Sequence, residues 1–107
     1  MKLTIEGQLS SRIISVNGKP LSPVASQAVW NHSPDGFNWG YGGSGPAQLA
    51  LAILLEAGLR REEAFRLYQD FKWDFVARWP FKDFHVEVDL QQWLDQKCLA
   101  RDPGVEL

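Results

Sequence analysis

The apolar positions of this chain change their period near residue 44. Before it, Leu3, Ile5 and Leu9 alternate with Thr4 and Glu6, the period of a strand with one buried face, although Gly7 interrupts the apolar set. A second extended run, Arg12 to Val16, meets Asn17-Gly18, residues that tolerate the positive φ of a type I′ turn, and a hairpin is predicted there. Its exit, Lys19-Pro20-Leu21-Ser22-Pro23, reads as a loop, because proline has no ladder donor and a strand holding it could only be an edge. Ala28-Val29-Trp30 and Phe37-Asn38-Trp39 flank Ser33-Pro34-Asp35-Gly36, whose Pro and Gly suit a type I turn, so a second hairpin is expected.

From residue 44 the period is helical. Pro46 suits a first helical position, and Ala47 to Leu55 is apolar except for Gln48, so this helix must be enclosed on nearly every side until Gly58 ends it. The next helix is predicted from Arg61 to Trp79, since Pro80 disfavours helical geometry in the residue before it. Ala64, Leu67, Tyr68, Phe71, Phe75 and Trp79 share one stripe, with Trp73 about 180° away on a straight helix. Either this helix bends near Lys72, or a tryptophan is exposed. Phe84, Val86 and Val88 then alternate with His85, Glu87 and Asp89 as a late strand, and Asp89 with Gln92 forms a capping signal for a short last helix around Leu90, Trp93 and Leu94. The order predicts an α+β fold: a small, mainly antiparallel sheet packed on one face by two central helices, with a late strand joining the early ones and a short C-terminal helix.

Length narrows this to one domain over residues 1–107, with a frayed tail from Arg101. A net charge of -2, from 11 basic and 13 acidic residues, leaves no basic footprint for nucleic acid. No apolar run is long enough for a membrane span, and Met1-Lys2-Leu3-Thr4 opens straight into polar alternation without the apolar core of a signal peptide, which points to the cytoplasm. Cys98, the sole cysteine, excludes an internal disulfide and is expected to be an inert thiol; with two histidines it cannot build a standard structural zinc site. No metal or other cofactor is expected.

The most unusual segment is Trp39-Gly40-Tyr41-Gly42-Gly43-Ser44-Gly45-Pro46. Ordering so many glycines costs entropy, so the backbone there needs unusual torsions or close approach. Gly40, Gly42 and Gly45 match GxGxxG ahead of a helix N-terminus, which makes Gly42, Gly43, Ser44 and Gly45 candidate contacts for a small anionic ligand. The dinucleotide form of that motif demands a βαβ unit, and here Glu62 and Glu63 open a second helix instead of closing a second strand. Ser44, Asp83 and His85 follow the chain order of a hydrolase triad, but Ser44 is one residue short of GxSxG and the chain has no room for the parallel sheet. No catalytic residue is assigned. His32 reads as a local hydrogen-bonding residue in a turn. Glu62, Glu63, Arg60 and Arg61 read as charges complementing helix ends. Aromatics are in excess, and Trp39, Tyr41 and Trp73 beside the glycines are the candidate anchors for a protein partner.

The run Asn31-His32-Ser33-Pro34-Asp35-Gly36-Phe37-Asn38-Trp39-Gly40-Tyr41-Gly42-Gly43-Ser44-Gly45-Pro46-Ala47-Gln48-Leu49-Ala50-Leu51-Ala52-Ile53-Leu54, with Leu67-Tyr68-Gln69-Asp70-Phe71-Lys72, resembles a small uncharacterised family of bacterial and bacteriophage proteins. The likeness runs from about residue 12 to residue 94 and departs in the first ten residues and the tail. The resemblance implies no activity or cofactor, but it implies a phage or mobile-element context, in which small proteins bind and block host proteins such as defence components. The leading expectation is therefore a non-catalytic cytoplasmic interaction module. A small anion or nucleotide binder is the alternative, and self-association as a homodimer stays open.

Overall fold

The structure, a computed structural model, describes residues 1–101 and the side chains of residues 1–97, so the expectations for the Cys98 thiol and for the tail beyond Arg101 lie outside the described residues. The elements are β1 (Lys2–Gln8), β2 (Ile13–Val16), β3 (Lys19–Pro20), α1 (Val24–Val29), α2 (Ser44–Glu56), α3 (Arg61–Asp74), a 3₁₀ turn (Val76–Arg78), β4 (Phe84–Asp89) and α4 (Leu90–Arg101). The four strands form one antiparallel sheet in the order β3-β2-β1-β4. The late strand joins the early ones as expected, and the fold is α+β.

Register divides the sheet into a dry face and a wet one. Leu3, Ile5 and Gly7 oppose Val88, Val86 and Phe84, and this face enters the core with α2 and α3. Glu6 opposes His85 and Ser15 on the other face, where Glu6 and His85 are exposed. Asn17 and Gly18, at φ 51° and 81°, make the turn between β2 and β3. The proline-bearing exit is not all loop: Lys19–Pro20 pairs with β2 as a two-residue strand, and it lies at the sheet edge, where a missing donor does no harm.

The second predicted hairpin does not form. Val24–Val29 is helical, and residues 30–43 contain no strand. A helix of six residues is too short to show a 3.6-residue period, and this one is held by contacts rather than by propensity. The buried Ser26 hydroxyl donates to Pro23 O at 2.8 Å and accepts from Gln48 of α2 at 2.9 Å. The turn at Ser33–Gly36 is formed, with Gly36 N–H donating to Ser33 O at 3.2 Å.

α2 is the enclosed element of the core: every residue from Gly45 to Leu54 is buried. It begins at Ser44, ahead of the expected Pro46, with Gly43 as an extended N-cap; Pro46 still lies in the first turn, where a missing N–H leaves no bond unmade. It ends in a Schellman closure, with Gly58 N–H donating to Leu55 O at 3.0 Å and Leu59 N–H to Leu54 O at 3.2 Å, while Gly58 takes φ 102°.

α3 stops at Asp74, short of the expected Trp79. Phe75 leaves helical torsions (φ -128°, ψ -69°), and the chain tightens into the 3₁₀ turn, whose Val76 carbonyl accepts the Gly40 N–H at 3.0 Å. Val76 and Trp79, three residues apart, both face the core from this turn. α4 starts as predicted, with Gln92 N–H donating to the Asp89 carboxylate at 3.1 Å. Its Trp93 packs edge-on to Phe71, and its Lys97 meets Asp74 at 2.9 Å.

Candidate functional site

The segment from Trp30 to Gly43 is irregular, so its backbone needs partners outside any ladder. Gln48 supplies them from the first turns of α2. Fully buried, it donates to Ser26 Oγ at 2.9 Å and Trp30 O at 3.1 Å, and its Oε1 accepts from His32 N–H at 2.8 Å and Ser33 N–H at 3.0 Å. A single polar side chain in an apolar helix thus fixes the start of the loop. His32 Nε2 lies 2.6 Å from the Tyr68 hydroxyl. Burial, and secondarily the Lys72 charge, holds this imidazole below its ordinary pKa.

The far end of the loop is fixed by Trp39. The expectation that Trp39 meets a partner is corrected here: it is fully buried, its ring stands edge-on to Phe84, and its indole N–H points at the carbonyls of Pro80 and Lys82, each at 3.1 Å. An alternating pattern cannot distinguish this anchor from an exposed ring, because the strand that would have set the alternation is absent. Next to it, Gly40 requires glycine: its φ is 86°, and a Cβ would stand 3.1 Å from Trp79 O. Gly45 is also structural, since a Cβ there would sit 3.1 Å from the Asn38 backbone nitrogen.

Just past Trp39, exposed rings from three segments gather where the loop runs into α2. Trp73, on α3, lies against Gly42, and Tyr41 folds back over Gly43. Tyr41, Trp73 and Phe81 are 46%, 55% and 55% exposed, and Phe81 meets Tyr41 edge-on with ring centroids 6.4 Å apart. Trp73 is exposed, one of the two outcomes that the helical stripe allowed. Two cations flank the rings. The Arg12 guanidinium is 5.5 Å from the Phe81 centroid, and the Lys72 ammonium is 4.3 Å from the Trp73 centroid. Lys72 is buried, and its ammonium approaches Gly42 O at 3.5 Å; burial lowers its pKa from the usual lysine value. Among the described residues, neither cation has an ion-pair partner.

The candidate ligand contacts are placed as follows. Ser44 and Gly45 line an open cleft of about 450 Å³ with Arg12, Asp35, Asn38 and Tyr41. Gly42 and Gly43 lie under Trp73 and Tyr41 rather than in that cleft. The sheet has no parallel pair, so the βαβ context of a dinucleotide fingerprint is missing. Ser44, Asp83 and His85 are not in hydrogen-bond contact: Asp83 accepts the Leu9 N–H at 2.8 Å, and His85 Nδ1 faces Glu6 at 3.5 Å on the wet face of the sheet. Among the described residues no group of His, Cys, Asp and Glu is arranged to hold a metal ion, and no helix is long and apolar enough to cross a membrane.

Sequence reasoning passed over Phe81, Arg12 and Lys72. Phe81 had a legible signal, an aromatic side chain between Pro80 and Lys82 in a turn. Lys72 is four residues after Tyr68 and therefore on the same helix face. Arg12 had none: its left-handed backbone, φ 61°, is set by the β1–β2 connection.

The fold and the loop together define a small α+β domain with an aromatic surface patch mounted on a glycine-rich segment. The chain belongs to DUF6166, a family of unknown function, whose family model matches residues 5–96. No curated protein and no solved structure matches the chain.

Proposed function

We propose that this domain is a non-catalytic interaction module that docks an acidic surface of a partner protein on the patch of Tyr41, Trp73 and Phe81. The observation that carries this reading is three neighbouring rings left about half exposed beside a backbone held at Trp39 and Gly40. Rigid aromatic side chains lose little entropy on binding, and they dominate the energetics of most protein interfaces. Arg12, beside the rings and without a carboxylate partner among the described residues, favours a partner protein that brings one, and the positive charge of Lys72 beneath Trp73 adds to the local field. The resemblance to bacterial and bacteriophage proteins supplies the context: a cytoplasmic host protein, such as a defence component, that is bound and blocked.

The double substitution Trp73→Ala, Phe81→Ala tests the reading. Both side chains are largely in solvent, so stability should fall by no more than about 1 kcal/mol each, against about 3 to 5 for a buried ring. Captured from host lysate, a partner held by the wild-type protein should be lost from the folded double variant. Identical capture by the two proteins removes the patch from consideration.

A further inference from the structure

The two edges of the sheet are treated differently. At one edge β3 is two residues long and carries Lys19 and Pro20, features that stop further strands from adding. At the other edge β4 presents six residues, Phe84–Asp89, with no proline, glycine or lysine. Leu90 N–H donates to Met1 O at 2.9 Å, and the register continues through Leu3–Val88, Ile5–Val86 and Gly7–Phe84. Because antiparallel ladders alternate, those residues of β4 bond to β1, and the N–H and C=O groups of His85 and Glu87 point away from it. Among the described residues nothing pairs with these outward groups.

We propose that the open edge of β4 is a self-association surface, on which a second copy of this chain adds its own β4 antiparallel across a two-fold axis at Val86. The sequence of the strand chooses this occupant and this register. With the axis at Val86, Val86 faces Val86 and Phe84 faces Val88 on the dry side, while His85 faces Glu87 twice on the wet side. An axis at Glu87 would oppose two carboxylates, and one at His85 two imidazoles. The central register alone sets an imidazole, a hydrogen-bond donor, opposite each carboxylate and apolar opposite apolar, the pairings that stabilise adjacent strands. It also covers Val86, which is only half-buried in the single chain, and makes an isologous contact that closes on itself. The surface shares no residue with the Tyr41 patch.

Sedimentation equilibrium of the full chain over a concentration series should show reversible dimers. Glu87→Pro removes an outward donor and leaves the β1 ladder intact, so the circular dichroism should be kept. Its dimer dissociation constant should rise at least about 25-fold, for two lost bonds at roughly fivefold each. A wild-type chain that stays monomeric at its highest soluble concentration overturns the proposal, as does a folded Glu87→Pro variant that dimerises unchanged. Should that variant unfold, cross-linking decides. In a Cys98→Ser background, Val86→Cys places two thiols on the axis with Cα atoms about 4.5 Å apart, within disulfide reach, and should oxidise to a covalent dimer. His85→Cys faces Glu87 and should not. Equal cross-linking by both, or by neither, overturns the register.

Discussion

Gln48 shows how one side chain can determine a surface it never reaches. It is the only polar residue between Pro46 and Glu56, and composition marks it as an outlier in the core helix. Gln48→Ala would leave the Ser33 N–H without its partner and reduce the His32 N–H and the Trp30 carbonyl to the bond they make with each other at 3.1 Å, besides opening a cavity. Destabilisation of about 3 kcal/mol is expected, seen as a lower urea midpoint at unchanged slope. His32 gives a second handle. Its folded pKa is depressed, so below the ordinary value of 6.5 the unfolded chain binds the extra proton first. Stability should therefore climb as pH rises through the window just under 6.5 and level off above it, and His32→Gln should remove that climb from urea titrations. Trp73 was legible as a tryptophan off the apolar stripe. Trp39 was not, because its burial depends on carbonyls of Pro80 and Lys82, distant in the chain, which no local period encodes.

At the scale of elements, those with a sustained period or a strong closing signal were legible: β1, the β2–β3 turn at Asn17-Gly18, α2 up to Gly58, β4, and the start of α4 at Asp89. Two elements were not. α1 is six residues held by Ser26 and Gln48, so its stability belongs to α2 as much as to itself. α3 ends early where Phe75 leaves helical torsions and the 3₁₀ turn follows, its Val76 carbonyl taking the Gly40 N–H in a tertiary contact that no local period encodes. Two alanine substitutions separate these kinds of control. Gly58→Ala meets open space and suffers only its positive φ, so about 1 kcal/mol should be lost. Gly40→Ala carries the same torsional cost and also crowds Trp79 O and Phe81. It should cost about 2 to 3 kcal/mol and shift Phe81, with chemical-shift changes reaching Tyr41, whereas Gly58→Ala leaves both rings undisturbed.

For the whole molecule, the layer arrangement followed from sequence because alternation in β1 and β4, together with an all-apolar α2, admits few ways to bury everything at once. Strand order was less accessible, since nothing local in Lys2–Gln8 states that it will be flanked on both sides. Yet β1 is flanked by β2 and β4, with Lys2 opposite Asp89 and Gly7 opposite Phe84. β1 is made long before β4, and its pairing is complete only once the chain as far as Asp89 is present. Closing so wide a loop before the ladder rewards it should make folding slower than in a domain of the same size built from local contacts alone. Until then one side of β1 stays unsatisfied, an interval in which a crowded nascent chain is most open to chaperones and to mispairing with its neighbours.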